Sequence, residues 1–186
     1  MDQTDLDSLA SLLRGAGIPV AEGLSDQEVV RIEHTYKFRF PPDLRALLQY
    51  VLPVADAFPN WRDASEESLR SRLAWPADGI CFDIEHAGFW MAEWGLRPAD
   101  LATACQIARR EIAKAPKLIP IYAHRYIPDE PHLAGNPIFS VYQTDIIYYG
   151  RDLAHYFANE FASPRPPWVA VSARPIRFWD QVAFDS

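Results

Sequence analysis

A chain of 186 residues with 49% hydrophobic and 23% charged residues is long enough to bury a substantial core and too apolar to be disordered over most of its length. Its formal net charge of −7 repels phosphate backbones, which argues against nucleic acid as the main ligand and favours a basic partner. The acidic N-terminus and the lack of any apolar run near the ~18 residues that span a bilayer predict a cytoplasmic protein without a membrane segment.

The chain opens with a predicted amphipathic helix over residues 5–14, where leucines recur on one helical face. Gly15 and Gly17 follow it, and glycine is the residue that most readily ends a helix in the left-handed conformation. We interpret residues 1–20 as an N-terminal helix with a linker, and residues 21–186 as a single domain.

Two further helices are predicted around a double-proline turn. Ser25 and Glu28 have the spacing of a capping box and predict the start of the first of these helices. Pro41 and Pro42 come next. Because proline is tolerated in the first turn of a helix, they predict a second helix over residues 43–51.

The middle of the chain is predicted to change from helix to strand. Residues 65–75 begin with the spacing of a helix cap and continue with leucines at helical intervals. Over residues 79–84 apolar side chains occupy every second position, which is the pattern of a half-buried strand, and Gly88 is expected to end it. Residues 89–90 are predicted to begin a second short strand.

The remainder of the chain is predicted to hold the clearest helix and most of the sheet. Apolar residues over 101–112 recur at helical intervals between two prolines. Next come three strands at 118–126, 137–143 and 144–150, a helix at 151–161, a proline-rich loop at 163–168 and a last short helix at 175–184. The strand–helix alternation of a doubly wound parallel sheet is absent. This order predicts an α+β fold, with a mostly antiparallel sheet flanked by helices.

Two cysteines occur in the chain, Cys81 and Cys105, each among apolar neighbours and without the CxxC spacing of redox or zinc motifs. Free cysteines in apolar surroundings behave as small core residues. The sequence therefore predicts two reduced, buried thiols, and nothing in it calls for a metal or another cofactor.

Motifs of the common catalytic classes are also missing. The sequence contains no nucleophile elbow, phosphate-binding loop, dinucleotide-binding glycine motif or HExxH zinc motif. One set of residues has the chemistry of metal ligands, although it lacks their usual spacing: His124, His132, Asp145 and His155. A metal-assisted hydrolase built on these four residues is one alternative function.

The same part of the chain has a structural interpretation. A histidine beside an arginine and a tyrosine on a strand is more often a partly buried hydrogen-bonding residue than a metal ligand. We therefore expect this segment to brace the sheet rather than to perform catalysis. The residues assigned to the fold in this way are Pro41, Pro42, His124, Arg125, Tyr126 and Asp145.

Tryptophan indicates the candidate binding surface. The chain has six tryptophans, and tryptophan is enriched at the energetic centres of protein interfaces. Trp90 and Trp94 lie close together in sequence and near acidic residues, a combination that suits a cationic partner. The candidate partner-binding residues are Asp83, Glu85, Trp90, Glu93 and Trp94.

Residues 24–51 resemble the opening of the SUKH superfamily, which includes the Syd and Knr/Smi-type domains. The resemblance rests on the capped helix from Ser25, the Phe-Pro-Pro turn at residues 40–42 and the helix after it. The later segments WPADGICFDI, LIPIYAHRYIP, NPIFSVYQTDIIYYG and DLAHYF are similar to a bacterial branch of the same group, so the likeness extends over residues 24–161. The chain departs from the family at LPVADAFPNW, where many members have an Asn-Gly-Gly turn.

This resemblance implies an α+β binding domain without catalytic residues, which in bacteria is often an immunity protein that neutralises a polymorphic toxin, frequently a nuclease. The charge agrees, because nuclease toxins tend to be basic and an acidic inhibitor gains association rate by electrostatic steering. We predict a non-enzymatic protein that binds a basic toxin domain. The other alternative, suggested by fungal relatives, is a scaffold or regulator of a cell-envelope or signalling assembly.

Overall fold

A four-stranded sheet with helices packed on both faces forms the centre of the computed structural model, which describes residues 1–164 and 172–185. The elements in chain order are α1 (Gln3–Gly15), β1 (Val20–Glu22), α2 (Asp26–Tyr36), α3 (Pro42–Tyr50), β2 (Val51–Pro53), α4 (Glu66–His86), a 3₁₀ helix (Ala92–Trp94), α5 (Leu101–Ile112), β3 (Leu118–Tyr122), β4 (Arg125–Pro128), β5 (Ile138–Tyr142), β6 (Asp145–Gly150), α6 (Leu153–Phe161) and α7 (Trp179–Asp185).

Both sheets of the described chain are antiparallel. β1 pairs with β2 in a small sheet, and the larger sheet has the strand order β3-β4-β5-β6. Each strand of the larger sheet therefore pairs with its neighbour in sequence, as expected where short turns connect antiparallel strands. This arrangement confirms the predicted α+β fold with a mostly antiparallel sheet flanked by helices.

The larger sheet separates two hydrophobic layers because its side chains alternate between its faces. One face packs with α1, α2, α3 and α6, and its strand residues are Ile119, Ile121, Ile127 and Ile138. The other face packs with α4, α5 and α7, and its strand residues are Leu118, Tyr126, Phe139, Val141 and Ile146. Cys81 and Cys105 are free and buried in this second layer, as predicted.

α1 belongs to the same core as the rest of the chain. The predicted amphipathic helix is present, and Asp2 and Asp5 form a capping box at its start. Its apolar face is buried in the layer that α3 and α6 share, and the contributing residues are Leu9, Ala10 and Leu13. α1 therefore contributes its apolar face to the core of the domain.

α4 corrects the predicted change from helix to strand. The helix continues to His86 and includes residues 79–84, and residues 89–90 form no strand. The apolar residues of this segment fit two periods, because Leu69, Ile80 and Ile84 also lie on one helical stripe, and all three are buried. The helical stripe is the one that packs, since α4 contacts α5 and the sheet and buries Ile80 and Ile84 there.

Pro76 lies inside α4 without ending it. Proline has no N–H, so the carbonyl of Arg72, four residues earlier, loses its helical partner. The Tyr126 hydroxyl on β4 donates to that carbonyl at 2.9 Å. Burial raises the pKa of Tyr126, which keeps the hydroxyl protonated and able to donate. Tyr126 thus braces the helix against the sheet, in agreement with its assignment to the fold.

The segment predicted as one strand over residues 118–126 forms two. A tight turn at Ala123 and His124 separates β3 from β4, and Ala123 has a positive φ of 47°. The sequence carries no glycine, asparagine or aspartate at this turn, which are the residues that usually mark one. Residues 118–150 consequently form four strands where three were predicted.

The end of the chain agrees in part with the prediction. α6 begins after Asp152, whose carboxylate accepts from the His155 N–H at 2.8 Å and caps the helix. The proline-rich loop predicted at 163–168 lies mostly outside the described residues. The last helix, α7, begins at Trp179, four residues later than predicted.

An ion pair joins α2 to the segment that precedes α4. The Arg62 Nε donates to Glu28 at 2.6 Å, and the same guanidinium donates to the carbonyls of Glu22 and Gly23 at 3.0 Å. The hydrogen bond from Arg62, together with the one from the Ser25 backbone N–H, lowers the pKa of Glu28 from its usual 4.5 to about 2. Ionised Glu28 therefore stabilises the folded state.

Glu28→Gln is expected to lower the free energy of unfolding by about 1–2 kcal/mol at neutral pH, and by less as the pH falls. The sign follows from the lowered pKa. The stabilisation is fully present above pH 4.5, where Glu28 is ionised even in the unfolded chain, and it is lost as the pH falls towards about 2. Urea unfolding of both proteins over this pH range measures the difference. Glu93→Gln, which changes an exposed carboxylate, is the control, and a difference that stays constant in acid would contradict the assignment.

Candidate protein-interaction surface

The four predicted metal ligands do not meet. Across residues 1–164 and 172–185, no three His, Cys, Asp or Glu side chains are arranged to hold a metal ion. His124 lies in the β3–β4 turn, His132 on the exposed loop after β4, Asp145 at the exposed start of β6, and His155 in the first turn of α6. The metal-assisted alternative needs these side chains to converge, and no three of them do, because turns and loops separate residues that are near in sequence.

Arg125 occupies a buried position between the sheet and α6. Its guanidinium stacks on the Tyr149 ring, with Cζ 3.8 Å from the ring centroid. It also donates to the Ser140 hydroxyl at 2.7 Å. Its Nε lies 3.8 Å from Oε2 of Glu160. Burial and the nearby Arg125 charge lower the pKa of His124, which is therefore mostly neutral near pH 7. This arrangement connects three strands and a helix and supports the bracing role predicted for the segment.

The double-proline turn also serves the fold. Pro41 precedes α3, and Pro42 is its first residue. The next residue, Asp43, is buried, and its carboxylate accepts from the Gly135 N–H at 2.9 Å. Asn136, the residue after Gly135, is fully buried and donates to the Pro131 carbonyl in the loop at 2.9 Å and to the Pro128 carbonyl at the end of β4 at 3.0 Å. The turn is therefore tied to the β4–β5 loop, a link that the sequence did not indicate.

Asp83 has a structural role in place of the predicted partner-binding one. The side chain is only 7% exposed, and its carboxylate accepts from the backbone N–H of Thr144 at 2.9 Å and from the Thr144 hydroxyl at 2.6 Å. A strand would have placed Asp83 beside Glu85 on a solvated face, but the helix turns it towards the β5–β6 hairpin. Asp83 therefore anchors α4 to that hairpin.

The predicted tryptophan patch is assembled but only half exposed. Trp90 and Trp94 meet nearly at right angles, with ring centroids 5.2 Å apart. Both rings pack against the core layer of α4 and α5, and the Trp90 indole N–H donates to the Gly95 carbonyl at 2.7 Å. Glu85 and Glu93 are exposed. The patch thus offers two carboxylates and the outer edges of two rings.

A second aromatic group is more exposed than this pair. Trp75 and Phe82 on α4 are 44% and 46% exposed, and Tyr142 at the end of β5 is 57% exposed. They surround an open cleft of ≈ 220 Å³ between the helix and the β5–β6 hairpin. We call this space the α4 cleft, and its lining residues are Trp75, Asp78, Gly79, Phe82, Tyr142 and Gln143.

The walls of the α4 cleft are held in place by close packing. A Cβ atom at Gly79 would lie 2.8 Å from the Cα of Gln143, so only glycine allows the helix and the hairpin to approach this closely. The Trp75 indole N–H donates to the Val141 carbonyl at 3.2 Å, which sets the orientation of the ring. The cleft is therefore built on two elements that are fixed to each other.

One acidic side chain lines the cleft, and two more lie next to lining residues. Asp78 lies on its wall and pairs with Arg109 of α5 at 2.8 Å, and both side chains are about half exposed. Glu85 follows on α4, one turn beyond Phe82. Asp145 is exposed and faces Tyr142 in the β5–β6 register. The surface therefore combines exposed aromatic rings with negative charge. The sequence analysis predicted this combination for Trp90 and Trp94 instead.

Part of the cleft was predictable from the sequence, had the helical period of α4 been extended beyond residue 75. Trp75 and Phe82 are seven residues apart, which places them on one face of a helix but on opposite faces of a strand. The predicted end of the helix at residue 75 separated them. Tyr142 carries no such signal, because only the sheet brings it to α4.

Comparisons with protein-family models, with curated proteins and with solved structures found no match to this chain. The resemblance to the SUKH superfamily therefore stays a prediction. In the part of the chain that the structure describes, no helix is both long and apolar enough to cross a membrane.

Proposed function

We propose that this protein is a non-enzymatic binding module that holds a basic protein partner on the α4 cleft, and that it serves as an immunity protein against a toxin encoded nearby. The observation that carries the proposal is the exposure of Trp75, Phe82 and Tyr142 around one cleft. Large exposed aromatics grouped at a single place are typical of interaction surfaces, where such residues supply most of the binding energy.

The charge of the chain supports a basic partner. The formal net charge is −7, and Asp78, Glu85 and Asp145 lie at or near the cleft. A toxin that acts on nucleic acid needs a basic surface, because its substrate is a polyanion. Opposite charges accelerate the encounter of two proteins, which benefits an inhibitor that must act before its toxin does damage.

The anchoring of the cleft also supports a binding role. Asp83 ties α4 to Thr144, and Gly79 packs directly on the hairpin backbone at Gln143. A surface that is already ordered before association loses little conformational entropy on binding. The α4 cleft therefore suits recognition by a pre-shaped surface.

Phe82→Ala and Tyr142→Ala are each expected to raise the dissociation constant for the neighbouring toxin roughly 10- to 100-fold, since an aromatic at the centre of an interface contributes about 1.4–3 kcal/mol. Both side chains are about half exposed, so the melting temperature is expected to change little. Calorimetric titration of the purified toxin domain into each variant measures the affinity.

Two matched variants complete this experiment. Val30→Ala removes an exposed apolar side chain on α2, 60% exposed, and is expected to leave the affinity unchanged. Glu85→Lys is expected to slow association more than it speeds dissociation. No complex at micromolar concentration would contradict the immunity proposal, and co-purification with an endogenous envelope or signalling assembly would favour the scaffold alternative.

A further inference from the structure

We infer that the α4 cleft receives one cationic side chain, arginine or lysine, from the bound partner, an inference that rests on the proposed function and names the chemistry of that contact. The volume sets the size of the occupant. At ≈ 220 Å³ the cleft is smaller than the roughly 300–1,000 Å³ that holds drug-sized ligands. One long side chain matches a space of this size.

The aromatic walls favour a positive charge. Trp75 and Phe82 lie two turns apart on one face of α4, about 10 Å along its axis, and Tyr142 approaches from β5. Ring faces carry negative electrostatic potential and attract ammonium and guanidinium groups. One face of the Phe82 ring is stacked on the His86 ring, with centroids 4.1 Å apart, so the faces open to a cation are the other face of Phe82 and those of Trp75 and Tyr142. The methylene stem of lysine or arginine would cover the remaining apolar surface while its charged end stays near solvent.

A carboxylate on the cleft wall supplies the matching charge. Asp78 is 52% exposed and accepts from the Arg109 guanidinium at 2.8 Å. The chain thus shows that this carboxylate accommodates a guanidinium. An arginine or lysine from the partner would share or replace Arg109 at Asp78 and contact the rings at the same time.

The same geometry disfavours an anionic occupant. An anion needs hydrogen-bond donors, and one donor on the cleft wall and one beside the cleft are already engaged within the chain. The Trp75 indole N–H donates to the Val141 carbonyl, and the Arg109 guanidinium donates to Asp78. An anion would also face the negative potential of the rings.

Amino-acid amides test this inference without the toxin. In NMR titrations of the isotope-labelled full chain, N-acetylarginine amide and N-acetyllysine amide are expected to shift the Trp75 indole N–H and the Gly79 and Gln143 amide signals, with millimolar affinity. N-acetylcitrulline amide has nearly the shape of arginine without its charge and is expected to bind about fivefold more weakly or worse. Equal shifts from citrulline and arginine, or no shift from either cation, would overturn the inference.

Variants locate the response in the cleft. Phe82→Ala and Asp78→Asn are each expected to weaken binding of the arginine amide about threefold or more, whereas Leu96→Ala, at a side chain that is 97% exposed and outside the cleft, is expected to leave it unchanged. If the arginine amide binds but the toxin does not, the cleft chemistry stands and the immunity proposal fails. If the toxin binds both cleft variants as tightly as the wild type and no amide shifts the signals, the cleft inference and the placement of the partner on the cleft both fail, while the immunity role stands with a different surface.

Discussion

Arg125→Ala is expected to lower the free energy of unfolding by about 3–5 kcal/mol. The Arg125 and Glu160 side chains are only 12% and 15% exposed, so removing the guanidinium leaves a carboxylate buried without its counter-charge. The variant also loses the hydrogen bond to Ser140 and the stacking on Tyr149. Chemical denaturation followed by circular dichroism measures the loss.

Two further variants show whether burial is the cause. Arg151→Ala removes a guanidinium that is 62% exposed and paired with Asp152, and its cost is expected to stay below about 1 kcal/mol. Arg125→Met combined with Glu160→Leu is expected to recover much of the lost stability, because apolar residues of similar volume often replace a buried ion pair without penalty. An unchanged melting temperature in Arg125→Ala, together with the loss of a biochemical activity, would mean that this segment is functional rather than structural.

Asp83→Ala is expected to lower the free energy of unfolding by about 2–4 kcal/mol and to weaken partner binding as well. The substitution removes the acceptor of two hydrogen bonds from Thr144 and leaves that residue's N–H without its partner in a mostly buried place. It also releases the hairpin that carries Tyr142 from α4. Calorimetric binding and urea unfolding measure the two effects.

Hydrogen exchange separates the local effect from the global one. Amides of the β5–β6 hairpin are expected to exchange faster in Asp83→Ala than in the wild type, while amides of α1 change only with the overall stability. Asp83→Asn keeps one acceptor oxygen and is expected to cost about half as much. Asp63→Ala, at an exposed aspartate outside the cleft, is the control. A hairpin that exchanges at the wild-type rate in Asp83→Ala would remove Asp83 from the anchoring role.

Local sequence signals were sufficient to predict the helices that have clear caps and apolar residues with only a helical period. The capping box of Ser25 and Glu28 opens α2 as predicted, and α5 (Leu101–Ile112) lies between Pro98 and Pro116 as predicted. The physical reason is that caps and an apolar stripe act within a few residues of one another. The antiparallel sheet was predictable for a related reason, since its strands follow one another along the chain.

Where the sequence fitted both a strand and a helix, contacts with residues distant along the chain determined which one formed. The residues from Gly79 to Ile84 fit both a strand and a helix, and their alternating apolar pattern was interpreted as a strand. In the folded chain the Arg72 carbonyl, which Pro76 cannot bond, accepts from the Tyr126 hydroxyl instead. Tyr126 lies on β4, 54 residues after Arg72. No local rule contains that compensation.

The sequence by itself determined the acidic charge, the α+β class, the capped helices, the buried thiols and the presence of aromatic residues beyond what a core requires. Only the tertiary structure decided which aromatics reach solvent together and which acids turn inward. Asp83 became an anchor because Thr144, 61 residues away, lies against it, and the α4 cleft exists because Gly79 lets a hairpin approach a helix. Such pairings depend on the packing of whole elements, which the order of residues along a single segment does not encode.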